Sequence, residues 1–124
     1  MRLRSDIWVS AYLRRCGAEG KSAVLRRRGA RDAGAIFVRI DRLDGRSALY
    51  GPAPQSVATD PERGVERIFT RMHEAEWIDD RDLEERLARQ ISFDPDIWII
   101  EVDDRAGLAR LDLAPSRSRE SGGA

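Results

Sequence analysis

The chain has 124 residues and a mass of 14.0 kDa, 41% of it hydrophobic and 35% charged. That is enough for one core without a cofactor, metal or disulfide, and too little for a two-domain dinucleotide enzyme, a TIM barrel or a kinase. The 22 basic residues balance 22 acidic ones, which argues against a general polyanion binder.

Asp6 is placed to cap a helix that starts near Ile7. Trp8, Tyr12 and Cys16 recur every four residues, with Ile7 and Ala11 beside them, so one broad apolar face is expected. Gly17 and Gly20 end the segment. Cys16 is the only cysteine, which excludes an internal disulfide and fits a reducing compartment. On an apolar helix face it reads as a small buried hydrophobe.

Residues 22–28 read as a strand centred on Ala23, Val24 and Leu25, and residues 29–34 as a turn. Residues 35–43 alternate clearly: Ile36, Val38 and Ile40 point one way, Phe37, Arg39 and Asp41 the other. Asp44-Gly45 predicts a two-residue hairpin loop. That loop sets Leu43 opposite Arg46, Ile40 opposite Leu49 and Arg39 opposite Tyr50. Ile36, Val38, Ile40 and Leu49 then form a core face, while Phe37, Arg39, Asp41, Arg46 and Tyr50 form a face at least partly wet.

Residues 51–65 hold Pro52, Pro54, Pro61 and Gly64 and read as a long loop. Residues 67–73 alternate as a strand again. Asp79 reads as the cap of a second helix, with Ile78 and Leu83 as a hydrophobic staple and Leu83, Leu87 and Ile91 as its apolar stripe. Pro95 blocks continuation. Residues 97–102 are apolar on both faces, the mark of a central strand covered on both sides. Residues 108–113 predict a last short strand, and the Ser-, Arg- and Gly-rich end predicts disorder.

The expected fold is therefore α+β: a mixed or mainly antiparallel sheet of four to six strands with two helices packed on one face. It is expected as a single domain over residues 1–113 with a disordered tail over 114–124. Arg14 and Arg15 interrupt any signal-peptide stretch, and no run reaches the roughly 20 apolar residues of a membrane span. A cytoplasmic protein without membrane contact is expected.

Familiar chemical motifs fall away. Gly20-Lys21-Ser22 ends like a phosphate-binding loop, but Arg15 stands where that loop needs its first glycine, and the segment follows a helix instead of opening one. His73 is the only histidine; beside Glu74 and Glu76 it reads as a strand-end surface residue, not a zinc site. Asp94 and Asp96 lie at one end of the last confident strand, Asp103 and Asp104 at the other, so they cannot act as one pair and read as turn residues.

Arg26-Arg27-Arg28 is the densest basic run. Arg26 and Arg28 share a strand face and, beside Phe37, Arg39 and Tyr50, supply the parts of a single-stranded RNA platform. The same residues suit a protein contact, where Arg, Tyr and Trp are favoured anchors.

Four segments carry a family resemblance: Asp6-Ile7-Trp8-Val9 with 11–15, Asp32-Ala33-Gly34-Ala35, Leu49-Tyr50-Gly51-Pro52-Ala53, and Phe93-Asp94-Pro95-Asp96-Ile97-Trp98 running on to Glu101 and Asp104-Arg105. Together they resemble a family of small bacterial proteins catalogued as a domain of unknown function (number 1491). The resemblance spans roughly residues 2–111 and implies one small cytoplasmic domain, with no activity, cofactor or catalytic residue attached.

The leading expectation is a non-enzymatic module that binds a protein partner or a second copy of itself through Phe37, Arg39, Tyr50, Arg26 and Arg28. An RNA-binding module on the same residues is the first alternative. A small hydrolase or transferase using Cys16 or His73 with Glu74, Asp94 or Asp96 is the second.

Overall fold

The computed structural model describes residues 3–54 and 67–114. In chain order these form α1 (Ser5–Ala18), β1 (Ser22–Arg27), β2 (Ile36–Asp41), β3 (Arg46–Pro52), β4 (Phe69–Arg71), β5 (Ile78–Asp79), α2 (Asp80–Phe93) and β6 (Trp98–Asp103). The strands make one six-stranded sheet in the order β1-β6-β2-β3-β4, with β5 also paired to β3. Among these strand pairs β2 and β6 run parallel and the others antiparallel. The class is α+β, as expected.

β6 lies inside the sheet, between β1 and β2, as its composition requires. Trp98, Ile100 and Val102 enter one cluster with Ile36, Val38, Ile40 and the α1 residues Val9, Tyr12 and Cys16. Ile97 and Ile99 enter the other with Phe37, Leu49 and the α2 residues Leu83 and Leu87. The two helices thus cover opposite faces, not one. A sheet whose middle strands are apolar on both sides leaves neither face to water, so each needs its own cover.

The entry to α1 also differs from expectation. The helix begins at Ser5, and no side chain caps it. The 29–34 turn takes that role: the backbone N–H groups of Ser5 and Asp6 donate to the carbonyls of Asp32 and Arg31, both at 3.1 Å. Ser5 Oγ donates to the Gly34 carbonyl at 2.6 Å. Trp98 Nε1 donates to the Ala30 carbonyl at 2.7 Å, tying the same turn to β6. A Cβ at Gly34 would lie 2.5 Å from the Asp96 carbonyl oxygen, so only glycine allows this approach. On α1 the buried line is Ser5, Val9, Tyr12 and Cys16; Ile7 is exposed and Trp8 half-buried.

The hairpin between β2 and β3 is one residue longer than Asp44-Gly45 suggests. Arg42 N–H donates to the Arg46 carbonyl at 3.1 Å, enclosing Leu43, Asp44 and Gly45. Leu43 and Gly45 both adopt positive φ, 67° and 87°. The Asp41 and Asp44 carboxylates accept from the Leu43 and Arg46 N–H groups and hold the turn. The extra residue sets Arg39 opposite Leu49, Ile40 opposite Ala48 and Val38 opposite Tyr50. Leu49 therefore joins Phe37 under α2, and Tyr50 moves to the α1 face.

The strand expected over 67–73 shortens to Phe69–Arg71, and the one expected over 108–113 to a single bridge between Leu113 and Phe69. Most of the loop expected over 51–65 lies outside the described residues, as does the expected tail beyond residue 114.

Ile99 and Ile100 are both fully buried, on opposite faces. Replacing either by alanine should cost about 2–5 kcal/mol in urea unfolding, because both covers bear on the same strand.

Candidate functional site

The face expected to be wet lies under α2. Phe37 is 4% exposed and packs with Leu83 and Leu87. Arg39 is 8% exposed. Its guanidinium reaches Glu84 at 2.7 Å, Asp80 at 3.2 Å and Glu101 at 3.4 Å. Arg26 shares that face, as its strand position suggests, and grips Glu84 with both terminal nitrogens at 2.6 and 2.7 Å. It also reaches Glu101 at 2.6 Å. Ser47 donates to Asp80 beside them. Two arginines and their carboxylates thus pin α2 to the sheet. Arg26, through its hydrogen bonds, holds the Glu84 carboxyl below its ordinary range.

Of the expected binding residues, the structure buries Phe37 and Arg39 beneath α2 and sets Arg26, exposed, beside them through shared carboxylates. Tyr50 is half-buried on the other face. Arg28 is exposed, its guanidinium 5.5 Å from the Trp98 ring centre. No single solvent platform unites the five.

The expected chemical residues are also occupied. Cys16 is buried in the α1 cluster, and burial raises its thiol above the ordinary value. His73 is buried and not a surface residue. Its Nε2 accepts the Leu49 N–H at 3.0 Å, so Nδ1 carries the proton and donates to the Ala75 carbonyl at 2.6 Å. Cys16 belongs to the α1 face, whereas Asp82 and Arg86 of α2 act on His73. The two do not form a pair.

Lys21 pairs with Asp104, whose carboxylate also accepts the Ala106 and Leu108 N–H groups. Asp94 accepts from Asp96 N–H. These carboxylates therefore serve turns. Among the described residues no cluster of three His, Cys, Asp or Glu side chains could hold a metal ion.

Two other features face solvent. The first is β1, which among the described residues pairs only with β6 and leaves its other edge unpaired. Val24 on this strand is 54% exposed. Arg27 at its end donates to the Pro95 carbonyl at 2.8 Å, which brings the end of α2 beside it. There Phe93 is 88% exposed. Sequence reasoning assigned Phe93 no role; its place after the last apolar stripe residue, Ile91, and before Pro95 was the available signal.

The second is a cleft of about 310 Å³ between α1 and residues 110–112, lined by Trp8, Arg15, Glu19, Arg67, Arg110, Leu111 and Asp112. Tyr12 Oη and Arg15 donate to the carbonyls of Ala109 and Arg110, at 2.7 and 2.8 Å. Arg110 Nε pairs with Glu19 at 3.1 Å.

The sequence profile described as "Protein of unknown function (DUF1491)" matches residues 3–112. The chain belongs to the DUF1491 family. The crystal structure of a DUF1491 family protein from Caulobacter crescentus CB15 is similar to it at TM-score 0.72 and 30% identity, covering 93% of this chain and 100% of that one. The solution structure of protein Atu0922 from A. tumefaciens is similar at TM-score 0.71 and 39% identity, covering 94% and 99%. No curated protein matches the chain. No helix among the described residues is long and apolar enough to cross a membrane.

Replacing Arg39 by methionine should destabilise the fold by about 3 kcal/mol in urea, since it strips a buried cation from several carboxylates. The lowered Glu84 carboxyl adds stability above the ordinary carboxylate range, lost as pH falls through its lowered value. A Glu84→Gln variant should show a shallower acid limb in a pH series of melting temperatures.

His73 acts at higher pH. Burial, aided by Arg71 and Arg86, lowers its folded value below the ordinary 6.5, while Ala75 and Asp82 oppose this. Its contribution should be complete above pH 6.5 and diminish below it, as the unfolded chain takes up a proton first. His73→Gln should remove that loss from the melting profile near pH 6.

Proposed function

We propose that this domain is a non-enzymatic protein-interaction module whose contact is the open edge of β1 and not the face of the sheet. The observation that carries this is a strand edge unpaired among the described residues, with Val24 and Phe93 exposed beside it. An open edge presents free backbone donors and acceptors, and an added strand satisfies them. Val24 and Phe93 supply apolar contact, and Arg27 and Arg28 at the end of the strand supply charge.

The occupant is an extended, acidic segment of another protein. A second copy fits poorly. An antiparallel two-fold pair centred on β1 sets Arg27 or Arg28 against the partner copy's Lys21, like charge against like. An acidic strand meets the same arginines favourably. The RNA reading loses its stacking platform, because Phe37 lies under α2 and Tyr50 on the far face.

The test is selection of a displayed random dodecapeptide library on the full chain, followed by titration of one enriched peptide into ¹⁵N-labelled protein. Enriched peptides should alternate apolar with acidic residues and shift the amide signals of residues 22–28 and Phe93. A Val24→Lys/Phe93→Ser double variant, changed only at exposed positions, should keep its melting temperature and lose about tenfold or more in affinity. Peptides that map elsewhere, or bind the folded variant equally, overturn the assignment. So does a dimer paired through β1, or an oligouridylate that shifts the same amides with a steep salt dependence.

A further inference from the structure

We propose that the cleft between α1 and residues 110–112 binds a small organic oxyanion, a carboxylate or phosphate that also carries a hydroxyl. This goes beyond the β1 edge and does not depend on it. Three arginines, Arg15, Arg67 and Arg110, line a space of about 310 Å³. That volume sits at the low end of small-molecule sites, about 300–1,000 Å³.

The site is held in shape from several directions. Arg110 adopts a left-handed backbone, φ 57°, which costs an ordinary side chain about 1 kcal/mol. Two contacts from α1 hold it there: Arg15 donates to its carbonyl, and Glu19 accepts from its Nε. Arg67 is buried, its Nη2 donating to the Leu3 carbonyl and to Ser5 Oγ, both at 3.0 Å. Trp8 forms the wall, stacked on Tyr12 with ring centres 5.0 Å apart and tilted on Phe69 at 5.2 Å. Its indole brings an N–H donor as well as apolar surface to the wall.

The chemistry of the lining selects the ligand. Guanidiniums and an indole N–H recognise an oxyanion, with charge-assisted bonds to each oxygen. Glu19 and Asp112 also line the cleft. They repel a polyphosphate chain and accept a hydroxyl of a small ligand. The small volume restricts that ligand to a few carbons.

The test follows the Trp8 indole signal of ¹⁵N-labelled full-length protein during titration with glycerol 3-phosphate and, separately, with lactate, against sodium chloride at matched ionic strength. The signal should move saturably with at least one of the two, and which one separates a phosphate from a carboxylate ligand. Arg110→Gly keeps the left-handed backbone, relieves its strain and removes the guanidinium. It should leave the melting temperature undiminished and weaken binding about tenfold, the loss of one charge-assisted hydrogen bond. A response reproduced by chloride, no saturable movement with either probe, or wild-type affinity in folded Arg110→Gly overturns the proposal.

Discussion

Everything in this fold answers to one strand. β6 is apolar on both faces, so neither side of the sheet's centre tolerates water. α1 must cover Trp98, Ile100 and Val102, and α2 must cover Ile97 and Ile99. The parallel pairing of β2 with β6 follows from the same demand, since the chain between them supplies the antiparallel strands and then α2 before returning to the centre. A sandwich of helix, sheet and helix results from 124 residues.

The second cover carries a polar cost. Arg39 projects from the sheet under α2, where a lone cation is strongly unfavourable. Glu84 and Asp80 come from the helix, and Glu101 comes from β6 itself. Arg26 completes the arrangement from β1. These ion pairs specify where α2 lies along the sheet, which apolar contacts alone leave loosely set. The same pairing removes Arg39 and Arg26 from the set of residues available to a partner, so contact surfaces arise elsewhere: at the β1 edge, at Phe93, and in the arginine-lined cleft beside α1.

Several residues show how far local pattern reaches. Leu83, Leu87 and the Ile78 staple identify α2 because helix periodicity is local. The alternation of Ile36, Val38 and Ile40 against Phe37 and Arg39 is correct for the same reason. What the alternation lacks is a statement that the second face is dry. Arg39 reads as a solvent residue until Glu84, 45 positions away, is brought over it. The hairpin register depends on whether Leu43 enters the left-handed region, and a single residue there moves Tyr50 and Leu49 to opposite faces. His73 likewise looks exposed until its ring nitrogen accepts the Leu49 N–H.

By itself the sequence determined the α+β class, the interior place of β6, the burial of Cys16, the α2 stripe, and membership of a family through segments 6–15, 32–35, 49–53 and 93–105. Those properties rest on periodicity, composition and short-range chemistry. Tertiary structure alone decided that the helices lie on opposite faces, that the 29–34 backbone caps α1, and that β1 is left as an open edge. It also gathered Arg15, Arg67 and Arg110 around one cleft. The physical reason is distance along the chain: each of these depends on groups that meet only after the sheet has closed and both of its faces have been covered.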